Sequence, residues 1–325
     1  MENGTKDTDK ALRGAGIFFM VMMLLEIPLS LVVSMLQMAL PSRYQVLISV
    51  LCTQGYLLLG GILYIRMAGL EPGRDLRFCS YRLSTFFLSL VALVTAMPMA
   101  QWLNLFSQLF TENQAGEAIT QVTQNVPVWL GIAVIGCLPG LVEETLFRGI
   151  MLQAFRRRSI WTGILISAVS FGLMHMNFNQ IFYAVYLGIV FALMVEATGS
   201  IVSTMLLHML FNGGNTAVLY LLPKYYEWMG QYSEVYTNVE SVSLMENTLD
   251  TSQMLLIILG MAPFALGGIV LTVLLLKVIA KRNGREFTWS AFCQRKEPDV
   301  RPVNGPLLLG WGVCIAFSIL NLLYE

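Results

Sequence analysis

The chain is a succession of long apolar runs separated by short polar joints. Runs near 14–38, 44–65, 83–107, 127–155, 160–176, 180–197, 199–222, 253–280 and 305–323 are dominated by Leu, Ile, Val, Phe, Met and Ala. They are apolar all round rather than along one stripe, and a bilayer core takes about 17–25 such residues per helix. The pattern predicts an all-α, polytopic transmembrane helix bundle of about nine spans, with the fifth and sixth short. The first run follows Lys6, Lys10 and Arg13 in the manner of a signal peptide. It is too long for such a segment and lacks a small-x-small cleavage site, so it is read as an uncleaved first span.

The joints add organisation. Segments 108–126 and 223–252 are polar and poor in basic residues, and read as solvated connectors, with a cap over a site as the alternative. Segment 281–304 is basic, contains Pro298 and Pro302, and reads as a linker. With no internal repeat and no separate soluble domain, residues 1–325 are read as a single membrane domain.

Composition agrees: 56% of residues are hydrophobic, 12% are charged, and mean hydropathy is +0.66. A net charge of zero argues for no nucleic-acid partner and leaves the lipid bilayer as the medium. The five cysteines are scattered and read as packing residues. Arg and Lys gather on the cytoplasmic side of short loops. With the N-terminus inside, seventeen of the twenty fall on that side, Arg43, Lys224 and Arg148 excepted. The reading is therefore N-in and C-out.

Against this background a few ionisable groups stand out. The fourth run holds Glu143, Glu144 and Arg148, and the two histidines, His175 and His208, lie in other runs. Such groups cost about 2.5–3.5 kcal/mol each on insertion scales and are usually functional. At about 1.5 Å per residue, Glu143 lies roughly 20 Å above Arg156, His175 roughly 22 Å above Ile160 and His208 roughly 18 Å above Glu196. Three helices thus bring polar groups to one level. Glu144 and Arg148 are spaced i,i+4 with the acid first, the favourable order for an ion pair, which leaves Glu143 free. Phe171 is one turn from His175, and Asn212 shares a face with His208. Pro139-Gly140, just ahead of the carboxylates, should kink the fourth helix.

A carboxylate in a water-poor cavity can act as general base on water, and a neighbouring imidazole can orient that water. A second imidazole and a carboxamide on one face can stabilise a developing oxyanion. That equipment suits amide hydrolysis. No H-E-x-x-H or G-x-S-x-G motif is present. Glu143, His175 and His208 also form a conceivable Zn²⁺ ligand set, so a metalloprotease stays open beside a metal-free mechanism. A structural use of these groups and a proton relay are the competing readings.

Three motifs occur in order: E-E-x-x-x-R at Glu143-Glu144 to Arg148, F-x-x-x-H from Phe171 to His175, and H-x-x-x-N from His208 to Asn212. Over 127–222, read as the catalytic core, the chain resembles the CAAX-protease and bacteriocin-processing (CPBP, or Abi) family of intramembrane endopeptidases. It is similar there to type II CAAX prenyl proteases. The resemblance implies that Glu143 activates water with His175, that His208 and Asn212 stabilise the oxyanion, and that Glu144, Arg148 and Phe171 support them. It implies a protein or peptide substrate, prenylated CAAX or leader type, and leaves metal use open; a mechanism with no obligatory cofactor is favoured, because Glu143 is better placed as a base than as a third ligand. A bacterial plasma membrane is the expected location. A non-proteolytic immunity or scaffolding protein of the same fold is the alternative. Glu26 is expected in a structural pairing, the nineteen methionines as packing, and Gly188 as a point of close helix approach.

Overall fold

The computed structural model describes residues 2–230, 250–297 and 299–324, and no strand occurs among them. Nine long helices carry the chain: α1 (Glu2–Met38), α2 (Gln45–Met67), α3 (Leu83–Ser107), α4 (Val128–Phe155), α5 (Ile160–Met174), α6 (Phe178–Thr198), α7 (Ile201–Gly230), α8 (Thr251–Arg282) and α9 (Gly305–Tyr324). Helices dominate because a lipid-exposed segment must satisfy its own backbone polar groups. Eight of the nine are long and apolar enough to cross a bilayer. α5 has 15 residues, about 22 Å of rise, and falls short of that length. α6, expected to be short, reaches 21 residues.

α4 pairs with α7, α5 with α6, α3 with α8, and α1 with α9. α4 and α6 are the inner helices, 56% and 61% buried over their most apolar stretches against 17% for α8 at the periphery. Their neighbours are placed by short connections. Asn177 accepts from the Gln180 amide to start α6 after a joint of only three residues from the end of α5. Gly199, at φ 82°, ends α6 in the left-handed conformation and lets α7 begin two residues later.

Small residues set how closely the inner helices approach. A Cβ on Gly136 would meet Gly213 Cα of α7 at 2.7 Å, and one on Gly140 would meet the Met209 amide nitrogen at 2.9 Å. The G-x-x-x-G spacing of α4 is therefore the face that lies on α7. Gly188 of α6 lies against Ala168 of α5, where a Cβ would come within 2.9 Å of Ala168 Cα, as its small-residue surroundings lead one to expect. Gly136→Ala is expected to lower stability by about 1–3 kcal/mol through a forced backbone shift. Gly260→Ala, on open space in α8, should leave it unchanged or slightly raised. Thermal unfolding of the two variants in detergent checks both.

Two joints differ from their sequence reading. Segment 108–126 carries a helix, Gln114–Asn125, with Val122 and Val126 buried against Leu47 and Val134. Segment 281–304 is docked rather than a free linker. It forms a short helix, Trp289–Cys293, and packs Phe292, 3% exposed, on Trp161. Arg158 Nε donates to Val300 O at 2.7 Å, Thr5 Oγ1 donates to Glu297 at 2.8 Å, and Asn304 Nδ2 donates to Leu12 O at 2.9 Å. Aromatic and backbone partners in distant segments override its Pro-rich, basic composition. Of the 223–252 connector, residues 231–249 lie outside the described residues, as does Pro298; α7 itself continues past Pro223 to Gly230.

At the arginine-rich end, Glu196, the carboxylate closing α6, is shared by three guanidinium groups. Arg156 Nε lies 2.8 Å away, Arg77 Nη1 3.2 Å and Arg285 Nη2 3.7 Å. Burial pulls the Arg77 guanidinium down to about 10, opposed by Glu196 and reinforced by Arg156 and Arg285. The loops that carry these arginines meet at one end of the bundle, the grouping that their charge pattern leads one to expect.

Candidate active site

The site begins with the irregular backbone of α4. Pro139 has no amide to donate, and the helix opens into a π-helical stretch at Ile132–Cys137 just before it and another at Thr145–Met151 just after the carboxylates. The kink expected at Pro139-Gly140 thus takes the form of widened turns on either side of Glu143-Glu144, a distortion frequent at functional sites.

Glu144 and Arg148 are completely buried and form the i,i+4 pair, Oε1 to Nη1 at 2.9 Å. The guanidinium is stacked 4.5 Å over the Phe171 ring and lies 5.5 Å from Phe191, with Nη2 donating to the Gly188 carbonyl at 3.3 Å. The ring faces supply attraction that water would otherwise supply. Arg148 Nε has no hydrogen-bond partner among the described residues. The arginine is held by charge and aromatic faces more than by hydrogen bonds.

His208 reaches the same carboxylate from α7. Its Nδ1 is 3.0 Å from Glu144 Oε1, and a carboxylate there accepts, so Nδ1 carries a proton by the logic of the network. Nε2 then faces Glu143 Oε2 at 3.8 Å, too long for a hydrogen bond. Both atoms remain free to address one small molecule beside them. The ring is flanked by Phe171 at 5.9 Å and Phe191 at 5.6 Å. Glu143, 5% exposed, is steadied from the opposite quarter by Gln54 of α2, whose Nε2 donates to Oε1 at 2.7 Å. Gln54 Oε1 is buried with no partner among the described residues.

His175 ends α5 and is half-buried. Its Nδ1 lies 2.9 Å from the Phe171 carbonyl, which can only accept, so Nε2 is left with its lone pair. Its ring meets Phe171 edge-on at 5.1 Å. Phe171 therefore touches Arg148 and both imidazoles. Glu143, Glu144, Arg148 and His208 are in one cluster, and His175 joins it through Phe171. Asn212 lies one turn beyond His208 on α7, half-buried, beside the Gly136 contact.

The Zn²⁺ alternative needs Glu143, His175 and His208 around one point. Among the described residues no three His, Cys, Asp or Glu side chains form such a group. Glu143 and His208 face each other, and the contact of His175 Nδ1 with the Phe171 carbonyl leaves its Nε2 free.

Gln54 was not among the residues the sequence singles out. It is one amide in an otherwise apolar run, 89 residues from its partner, and only its burial at membrane depth hinted at a role. Glu26, expected in a structural pairing, accepts from Thr53 Oγ1 at 3.4 Å, beside Gln54.

Residues 125–214 match the family model described as Rce1-like type II CAAX prenyl endopeptidase. That segment includes all seven residues of the cluster and its extensions apart from Gln54, and over it the chain is similar to CAAX proteases. No curated protein and no solved structure matches the chain.

Proposed function

We propose that this integral membrane protein is a CAAX-type intramembrane endopeptidase that uses Glu143 to activate water without a metal. The observation that carries the reading is the placement of Glu143. It is buried, oriented by Gln54 at 2.7 Å, and set 3.8 Å from an imidazole whose other nitrogen is tied to Glu144. In this reading Glu143 takes a proton from water while His175 Nε2 accepts the second water hydrogen. The water oxygen bonds to the scissile carbonyl carbon, and the carbonyl oxygen becomes an oxyanion. His208 Nε2 and the Asn212 amide donate to it, His208 doing so when its ring holds both protons. The C–N bond then breaks, and the proton held by Glu143 passes to the leaving amine.

A small apolar hollow of about 10 Å³ is lined by Phe18, Met22 and Leu57 together with Phe147 and Met151 of α4. Phe147 packs on Phe171 at 5.3 Å, which ties the hollow to the site. The positive-inside pattern supports access from the cytoplasm, with a bacterial plasma membrane as the setting.

The test is cleavage by the purified protein of a prenylated CAAX peptide, its unprenylated twin and a leader peptide. Release of the C-terminal tripeptide from the first is the expected result; no cleavage of any of them by well-folded protein would count against the proposal. Chelation with EDTA or phenanthroline should leave the rate within about twofold, and loss restored by Zn²⁺ would overturn the metal-free mechanism. Gln54→Leu should lower kcat about tenfold with KM little changed, because the lost donor orients a charged base and not the substrate. Steady-state kinetics on the same peptide separates the two constants.

A further inference from the structure

A second polar feature lies at the arginine-rich end, away from the carboxylates. A cleft of about 530 Å³, open to solvent, is lined by Tyr81, Arg82, Thr198, Lys281, Arg282 and Asn283 among others. It forms where three spans end together: α3 starts at Leu83, α6 stops at Thr198 and α8 stops at Arg282. Its depth is therefore that of the headgroup layer, by construction of the helices.

Three observations make it an anion site. Arg82, Lys281 and Arg282 are exposed, and none pairs with a carboxylate among the described residues. Next to its wall, Glu196 faces three guanidinium groups alone, and Arg285 of that group lies against Gly199, the neighbour of Thr198. The local field is thus strongly positive, and low-dielectric walls focus it. Finally, the Tyr81 hydroxyl is buried without a partner among the described residues. Burial pushes that phenol up to about 12, so it stays a donor at neutral pH. The start of α3 at Arg82, with no side chain capping it, adds the positive end of a long helix.

We infer that this cleft binds a phosphate-bearing anion, supplied by the headgroup of an anionic phospholipid. The lipid source follows from the surroundings. Leu83, Phe87, Leu274 and Val278, within one or two turns of the cleft on α3 and α8, are all exposed and present an apolar surface for acyl chains. The inference is independent of the peptidase reading, since none of these residues belongs to the site described above.

The experiment is a binding titration of the full-length protein in mild detergent by native mass spectrometry. Short-chain phosphatidylglycerol is compared with phosphatidylcholine and with inorganic phosphate. Parent protein should bind phosphatidylglycerol preferentially. Arg82→Ala/Lys281→Ala/Arg282→Ala should weaken that binding about tenfold or more, as expected for three basic contacts. The charge-matched Arg66→Ala/Arg157→Ala/Arg295→Ala, on basic positions outside the cleft, should change it less than about twofold. Tyr81→Phe, which removes one oxygen, should weaken it about threefold while leaving the fold intact. Equal losses in the two triple variants, or no preference over phosphatidylcholine, would overturn the proposal. Displacement of the lipid by inorganic phosphate at equal concentration would keep the phosphate chemistry and overturn the lipid source.

Discussion

Glu143→Gln is expected to abolish peptide cleavage, a loss of about 10³-fold or more in kcat, while the thermal unfolding midpoint stays close to that of the parent. General base catalysis contributes about 10²–10⁴-fold, and an amide cannot take a proton from water. The substitution preserves shape and the contact with Gln54, because the new side-chain oxygen can still accept from Gln54 Nε2. The Glu144–Arg148 pair and the Glu144–His208 contact are untouched. Activity and folding are thereby separated in one variant. Single-turnover cleavage of the prenylated peptide measures the first and detergent thermal denaturation the second. A Glu143→Gln protein that still cleaves at a tenth of the parental rate would remove Glu143 from the base role.

Arg148→Met should be the most destabilising single change in the site. Arg148 is 0% exposed, and deleting it leaves Glu144 buried with His208 as its remaining partner. Removing one member of a buried pair costs about 3–5 kcal/mol, mostly from the uncompensated charge. The double variant Glu144→Gln/Arg148→Met removes that charge as well, so it should recover a large part of the loss. Met is long and flexible enough to occupy the space between Phe171 and Phe191. Comparing the unfolding midpoints of the two single variants and the double gives the coupling energy directly. Additive losses would mean that the pair is not what holds Arg148 in place. Neither single variant should retain cleavage near parental rates, since Glu144 also sets the His208 tautomer.

Much of this arrangement is written locally. The apolar runs are long and uninterrupted, so hydropathy alone places all nine helices, and the Glu144–Arg148 pair follows from i,i+4 spacing within one helix. The parts that escape are those made between segments distant in the chain. Gln54 has no periodic pattern to announce it, and its partner is two long helices and 89 residues away in sequence. Segment 281–304 has the composition of a linker, yet Trp161, Arg158 and Leu12 give it places to dock. Glu196 reads as the end of a helix and becomes the shared partner of three arginines once their loops converge. His175 illustrates a finer limit. Depth along the helix is readable from rise per residue, but the direction of its ring depends on the Phe171 carbonyl in the last turn of α5.

The in-helix pairing of Glu144 with Arg148 bears on how the protein is made. The groups that later enclose the guanidinium, Phe171, Gly188 and Phe191, and the histidine that joins its carboxylate, are all encoded downstream of α4. A helix leaving the ribosome with an isolated arginine at its centre would meet an insertion barrier of about 2.5–3.5 kcal/mol from that residue alone. Here the counter-charge lies one turn back on the same face, so neutralisation needs no other segment, only the coiling of α4 itself. The fourth span can be delivered to lipid as a self-contained unit and wait there, its reactive acid within reach of Gln54 on the earlier α2, until the next three helices arrive.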